Sequence, residues 1–366
     1  MHIEIEKDLL AKNLLLIQSI VEKKKTLPIL ANVLINTDDD SVYLMATDLE
    51  ISIQIQLKAK IIKSGRTTLP AKKLFEIVRE MPGQEIIIDT KTNDWINIKS
   101  GKSEFNLAAI DPSEFPNIKK ETDEIIRGYE PKELKNIIEK TINCISNDEK
   151  KFNLNGLYIH TEEKMLHYVA TDGHRLVCLK ENFDQENQIL NTGIIIPKKG
   201  LLEIKKICEN TDKELKMQVV NGKVVFDIDN ITLSIRLIDA TFPNYRRVIP
   251  EKTETKACIN TQQLFEAIKR VSIISDEKNR TVNLCLNDDN LEVFAKNEYG
   301  NATEGLEISY KLEERDSKFK ANYLLDILNS VDCEQIELFL NSGGKPSLIV
   351  PEKNDTYCAV LMPISV

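Results

Sequence analysis

Asp48 and Asp172 end two copies of one short string, Ala46-Thr47-Asp48 and Ala170-Thr171-Asp172, set 124 positions apart. Carboxylates repeated in this way are the type that holds a divalent metal for phosphodiester cleavage, and a metal-dependent nuclease is one reading of them. The other reading is a turn: Thr-Asp at a strand end bonds its side chains to the backbone that follows. His160 and His167 offer two imidazoles on neighbouring strands, but no third ligand stands at a fitting spacing. Asp172, His174 and a nearby hydroxyl suggest part of a triad, yet no G-x-S-x-G elbow or equivalent supplies the nucleophile. Ser342-Gly343-Gly344-Lys345-Pro346 lacks the glycine spacing and the Ser/Thr after Lys of a phosphate loop, so it reads as a hairpin turn. No catalytic set assembles. The residues point to a non-enzyme with no cofactor and no metal.

The elements that position these residues are themselves repeated. Tyr43-Leu44-Met45-Ala46-Thr47-Asp48 returns as His167-Tyr168-Val169-Ala170-Thr171-Asp172, and Leu69-Pro70-Ala71-Lys72-Lys73-Leu74 as Ile196-Pro197-Lys198-Lys199-Gly200-Leu201. Phe115-Pro116-Asn117 returns as Phe242-Pro243-Asn244, and a worn third copy holds Leu291 to Asn297 and Tyr323 to Leu328. A unit of this length is a domain, not a solenoid turn. Three domains follow, 1–122, 123–250 and 251–366, with boundaries in the polar stretches Lys119 to Glu124 and Pro250 to Lys256. Within each, apolar periodicity predicts two half-units of strand, helix and three strands. The helices start near residue 6, at Pro70, and near Pro131, Pro197, Thr261 and Ala321, with Pro70 suited to the first helical position. The expected fold class is α+β: three similar domains, each with two helices packed on antiparallel sheets. The single Trp95 is expected to pack within the first domain.

At 366 residues, 42% hydrophobic and 29% charged, the composition is that of a folded multidomain protein. No apolar run reaches a membrane span, and the alternating Met1 to Glu6 lacks the basic start of an export signal. Seven cysteines without a C-x-x-C pair read as reduced thiols, which predicts a cytoplasmic protein.

The net charge of −9 argues against nucleic acid until its distribution is examined. The six predicted helical segments carry 21 basic and 15 acidic residues, whereas the remainder carries 28 and 43. One lysine-rich helix is an ordinary solvated face. Six of them in an acidic protein describe a cationic surface that holds a polyanion through its phosphates, without sequence readout. The candidates are Lys23, Lys24 and Lys25 after the first helix, then Lys72, Lys73, Lys198, Lys199, Lys205 and Lys206, with Lys135 and Lys140 behind them. Lysine, a hydrated point charge on a flexible stem, suits mobile contact.

Five strings stand in a telling order: Thr26-Leu27-Pro28-Ile29-Leu30, Ala46-Thr47-Asp48-Leu49-Glu50, Leu154-Asn155-Gly156, Ala170-Thr171-Asp172-Gly173-His174-Arg175-Leu176 and Phe242-Pro243-Asn244-Tyr245-Arg246-Arg247-Val248. With the terminal Met362-Pro363, the whole chain resembles the bacterial DNA polymerase III β subunit family, the sliding clamps. The resemblance implies three DNA-clamp domains and a head-to-tail homodimer forming a six-domain ring, helices lining the hole and sheets outside. It implies encirclement of double-stranded DNA without sequence preference, and tethering of the replicative DNA polymerase subunit for processivity. The other implied partners are a clamp loader that opens the ring and further proteins carrying clamp-binding motifs; no membrane is involved.

The resemblance also assigns a partner-peptide groove, residue by residue. Leu154, Thr171, Gly173, His174, Arg175, Leu176, Pro243, Arg247 and Val248 would come from the second domain. Tyr323, Pro346, Val360, Leu361, Met362 and Pro363 would come from the third domain and the tail. Taken singly, Leu176, Val248 and Val360 read as plain core residues, and only the motif context assigns them to the groove. At the dimer seam, Lys73 and Phe105 would meet Ile273 and Ile274 of a second copy. Three departures from the family pattern stand out: Ser365 where Arg is frequent, Phe152-Asn153 where an aromatic pair can occur, and Lys24 in place of an arginine. Besides the nuclease, a protein-only adaptor scaffold is the alternative reading.

Overall fold

The computed structural model describes residues 1–21, 27–38, 40–92, 95–118, 124–183, 190, 192–252, 256–275, 280–310 and 313–364. One pattern of strand, helix and three strands recurs through them. The first repeat holds β1 (His2–Glu6), α1 (Lys7–Ile20), β2 (Asn32–Asp38), β3 (Ser41–Thr47) and β4 (Ile51–Lys58). A short extra strand β5 (Lys60–Lys63) precedes its second half: β6 (Arg66–Pro70), α2 (Ala71–Glu80), β7 (Glu85–Thr92), β8 (Trp95–Ser100) and β9 (Ser103–Ala108). The second repeat holds β10 (Arg127–Tyr129), α3 (Pro131–Thr141), β11 (Gly156–Glu162), β12 (Met165–Thr171) and β13 (Arg175–Asn182). It continues with β14 (Ile194–Pro197), α4 (Lys198–Cys208), β15 (Leu215–Val220), β16 (Lys223–Ile228) and β17 (Ile231–Arg236). The third holds β18 (Ala257–Asn260), α5 (Thr261–Val271), β19 (Thr281–Asn287), β20 (Asn290–Asn297) and β21 (Gly300–Glu307). It ends with β22 (Arg315–Lys320), α6 (Ala321–Ser330), β23 (Gln335–Phe339), β24 (Ser347–Pro351) and β25 (Tyr357–Leu361).

Each half-unit gives its first strand to the other half's sheet. Thus β1 lies beside β7, and β6 beside β2; the helix between is the crossover. The helix is thereby fixed at both ends and must bury its apolar stripe against the sheets. Leu10, Leu14 and Ile17 of α1 are fully buried, as are Leu74 and Val78 of α2. Leu264 and Ile268 of α5 and Leu324 of α6 repeat the arrangement.

The chain packs as two compact units, one of residues 1–135 and 199–237, the other of 136–198 and 238–366. The first unit holds a five-stranded sheet, β5-β1-β7-β8-β9, and an eight-stranded one, β10-β15-β16-β17-β4-β3-β2-β6. The second holds β14-β11-β12-β13-β25-β24-β23-β18 and the four-stranded β21-β20-β19-β22. Each eight-stranded sheet joins two repeats edge to edge, through β17 and β4 in one case and β13 and β25 in the other. Both joins pair the last strand of a first half with the last strand of a second half. Two such last strands, β9 and β21, stand at sheet edges.

Two local expectations are corrected. Trp95 is 54% exposed, because it opens β8 on the outer face while Ile96 and Ile98 point into the core. Pro70 ends β6 and sits at the cap position, with Ala71 the first helical residue. The first helix stops at Ile20, where Val21 turns to extended backbone (ψ 142°), ahead of the positions expected to follow it.

Candidate functional site

The repeated Ala-Thr-Asp strings build the same turn twice. In the first, Thr47 Oγ1 donates to the Ile51 carbonyl (2.9 Å), while Asp48 Oδ1 accepts from the amides of Glu50 (3.0 Å) and Ile51 (2.7 Å). In the second, Thr171 Oγ1 donates to the Arg175 carbonyl (2.7 Å), and Asp172 Oδ1 accepts from His174 (2.8 Å) and Arg175 (3.0 Å) amides. The residue after each Asp is left-handed, Leu49 at φ 77° and Gly173 at φ 89°. The nuclease reading of Asp48 and Asp172 is therefore corrected. Both carboxylates close turns, the second oxygen of Asp48 takes the Lys199 ammonium, and that of Asp172 takes Arg175 Nε. Among the described residues, no three His, Cys, Asp or Glu side chains gather as a metal site.

The second turn launches β13, whose register with β25 brings groove candidates together. Arg175 faces Leu361, and Leu176 faces Val360. The Met362 amide donates to the His174 carbonyl (2.8 Å), so the tail runs alongside the turn. Leu154, Leu176 and Val360 lie in one buried cluster with Phe242, Tyr245, Phe339 and Leu348. Their side chains form a floor with little surface of their own: Leu154, Thr171, Arg175, Leu176, Val360 and Leu361 are all buried. Gly173, His174, Pro243, Arg247 and Val248 are exposed, and Tyr323, Pro346, Met362 and Pro363 are half-buried.

Arg175 is the best-connected of these residues. It is 8% exposed and donates to Asp172 and Asp326 (2.5 Å to Oδ2 of the latter) and to the Asn143 carbonyl. Its guanidinium also lies over the Tyr323 ring, 4.3 Å from the centroid, and His174 stacks on the same ring at 6.2 Å. A buried cation bonded through all three of its nitrogens holds elements in place. Asp326, its partner on α6, and Lys151, whose Nζ donates to the Asp172 carbonyl (3.3 Å), were not among the residues singled out by sequence.

The Phe-Pro-Asn-Tyr-Arg-Arg-Val string is anchored from beneath. Phe242 stacks on Tyr158 at 4.6 Å, and the Tyr245 hydroxyl sits between His160 Nε2 (3.0 Å) and His167 Nδ1 (3.3 Å). The two histidines are cross-strand partners on β11 and β12, their rings stacked at 4.7 Å. Burial, with a second imidazole alongside, pushes His167 down to about 4, and burial lowers His160 as well. Both rings are neutral at pH 7 and serve Tyr245, not a metal. Their pairing was legible: a two-residue hairpin at Glu163-Lys164 opposes residues 160 and 167. Tyr245 begins a single 3₁₀ turn to Val248, which carries Arg247 and the 41% exposed Val248 outward.

Of the lysine candidates, Lys23, Lys24 and Lys25 lie outside the described residues, as does Ser365. Lys72 and Lys73 are exposed on α2, Lys73 paired with Glu76 (2.8 Å). On α4, Lys199 pairs with Asp48 and Lys206 with the buried Glu203 (2.7 Å), while Lys198 is half-buried and donates to Asn147 (3.0 Å). Lys205 is half-buried, Lys135 bonds Glu209 (3.4 Å) and Lys140 bonds Asp332 (2.8 Å). Within the observed bounds the six helices carry 14 basic and 8 acidic residues, so the cationic bias survives trimming. The Lys73–Glu76 and Lys135–Glu209 pairs are exposed on both sides, and such a pair is worth only ~1 kcal/mol or less, little obstacle to exchange for phosphate.

The dimer candidates lie on or beside the two open edges. Phe105 is exposed on β9, and Lys73 is on α2 of the same repeat. Ile273 and the half-buried Ile274 sit in a 3₁₀ turn that continues α5, not in the helix itself; Ile273 is 77% exposed. Phe152 is exposed as well, in the irregular turn before β11.

Comparison with known proteins covers the chain three times over. Residues 1–119 match the model for the N-terminal domain of the DNA polymerase III beta subunit, 129–244 its central domain, and 246–365 its C-terminal domain. The beta sliding clamps of Vibrio cholerae and Caulobacter vibrioides are 30% and 34% identical, over all of this chain and all of theirs. The solved DNA polymerase sliding clamp of Bacillus subtilis superposes with a TM-score of 0.95 at 27% identity, over 100% of this chain and 99% of that one.

Proposed function

Because the chain belongs to the family of bacterial DNA polymerase III β subunits, we propose that two copies close head to tail around duplex DNA. The protein is a sliding clamp: it is not an enzyme, and it tethers the replicative polymerase and other partners to DNA to confer processivity. The observation that carries the closure is that, among the described residues, β9 and β21 each stand at a sheet edge with one side open, the two strands equivalent to those that join the repeats internally. Pairing β9 of one copy with β21 of another repeats, between molecules, the join made twice within the chain. Head-to-tail contacts of this kind make closed rings when the rotation closes. Enclosure then explains why dispersed lysines suffice, since a ring stays on DNA without binding it tightly. The clamp loader's ATP chemistry lies in the loader. No helix among the described residues is long and apolar enough to span a membrane, and its place with the replication machinery makes it cytoplasmic.

The peptide groove of this reading has a floor of Leu154, Leu176 and Val360, a lip of Pro243, Arg247 and Val248, and a far wall of Tyr323, Pro346, Met362 and Pro363. Arg175 positions and does not touch: it ties the floor strand to α6 under Tyr323. Mixed apolar walls with an adaptable Met suit an extended apolar peptide. Leu176→Ala is a poor test, since a buried Leu→Ala costs about 2–5 kcal/mol of stability. Val248→Asp changes an exposed side chain. Titration with the tail peptide of the cognate polymerase subunit should show affinity reduced about tenfold or more, ~1.4 kcal/mol, with the dimer intact. Unchanged affinity removes Val248 and the lip from the site.

A further inference from the structure

We propose that Cys178 on β13 and Cys358 on β25 form an oxidant-responsive dithiol site, whose disulfide reversibly staples the second repeat to the third. The two residues are direct cross-strand partners, so their side chains leave the same face of the sheet. Cys178 is buried within the cluster that holds Leu176 and Val360, and Cys358 packs against that cluster while keeping some exposure. Both are free thiols in this structure.

The ladder sets the geometry. The Lys180 amide donates to the Thr356 carbonyl and the Met362 amide to the His174 carbonyl, both between directly opposed residues. Cys178 and Cys358 stand an even number of places from each, so theirs is also a hydrogen-bonded pair, with Cα atoms about 5.5 Å apart. That spacing is within disulfide reach, but the Cβ atoms of such a pair stand about 5.5 Å apart against about 3.8 Å in a disulfide. Closure draws the strands together and stores strain, which makes the bond easily reduced. A labile bond of this type suits a reducing compartment, where permanent structural disulfides do not form.

The chemistry divides between the two sulfurs. The Cys178 thiol opposite, with Lys180 and Lys252 nearby, holds the Cys358 thiol below its ordinary range; the same neighbour and burial push Cys178 up. Cys358, more exposed and more acidic, is the attacking thiolate. With hydrogen peroxide, its sulfur takes one peroxide oxygen, the O–O bond breaks and the departing hydroxide is protonated to water, leaving a sulfenic acid. Cys178 then loses its proton as its sulfur attacks that of Cys358, and hydroxide leaves to become the second water. Two thiols are oxidised and one peroxide is reduced.

The site stands independently of the peptide groove, though it lies two ladder places from Leu176 and Val360. The test treats the full-length protein with dilute hydrogen peroxide, alkylates the remaining thiols and maps peptides by mass spectrometry. The expected result is a 178–358 linked peptide lighter by two hydrogens, lost on treatment with dithiothreitol, together with a higher thermal midpoint for the oxidised protein. Cys358→Ser should remove both the link and the shift. The proposal is overturned if residues 178 and 358 stay alkylatable at doses that oxidise the other cysteines. It is equally overturned if they link elsewhere, or if the linked protein melts no higher than the reduced one.

Discussion

Arg175 and the pair of His160 and His167 show how a polar residue can be functional without meeting a ligand. Each lies beneath the candidate groove and fixes what lines it: Arg175 through Asp172, Asp326 and Tyr323, the histidines through Tyr245. The histidines make that support dependent on pH. A folded-state pKa of about 4 for His167, below its ordinary 6.5, means the unfolded chain binds more protons between those values. Stability is full above about pH 6.5 and falls as pH drops toward 4, by about 2 kcal/mol at pH 5 from His167 alone. Urea midpoints at pH 7 and pH 5 should show the fall, and His167→Gln should flatten it; an equal slope in the variant would assign the effect elsewhere. The repeated turn gives a second residue-scale test. Leu49 holds at φ 77° the conformation that Gly173 adopts freely, at a cost of about 1–2 kcal/mol for a side chain. Leu49→Gly should therefore stabilise the first unit by ~0.5–1 kcal/mol net of the added chain entropy, and Gly173→Ala should destabilise the second, both read by urea midpoints.

At the scale of elements, the half-unit was legible because it was written six times: apolar period, helix start and strand run recur, so each copy corrects the reading of the next. Trp95 was misplaced because size argued for burial, while the strand alternation that puts it opposite Ile96 argued against it. The floor of the groove was nameable only through the family strings, since Leu176 and Val360 carry no periodic sign separating a floor from any other core position. The exchange of first strands between half-units was not readable, because pairing partners far apart in sequence leave no local trace. The open edges on which the assembly depends belong to the last strands, β9 and β21. An exposed isoleucine beside such an edge marks a covered surface. Ile273→Asp, a change at a 77% exposed position, should leave the fold intact and raise the dimer dissociation constant by about tenfold or more in sedimentation equilibrium. A dimer of unchanged stability would move the seam away from this turn.

For the whole molecule, the division of charge is the feature that joins fold to function. Helices of net positive charge sit in a chain of net charge −9, so nonspecific attraction to phosphate is local and weak overall. Weak contact alone predicts rapid loss from any DNA. Weak contact inside a closed ring predicts a lifetime set by topology. The decisive measurement is retention of clamp, placed by its cognate loader, on a closed circular duplex and on the same duplex cut once. The account predicts long residence on the circle and prompt loss from the cut molecule through its free ends, with added salt leaving the circle's retention nearly unchanged. Equal retention on both, or loss from the circle on adding salt, would contradict it.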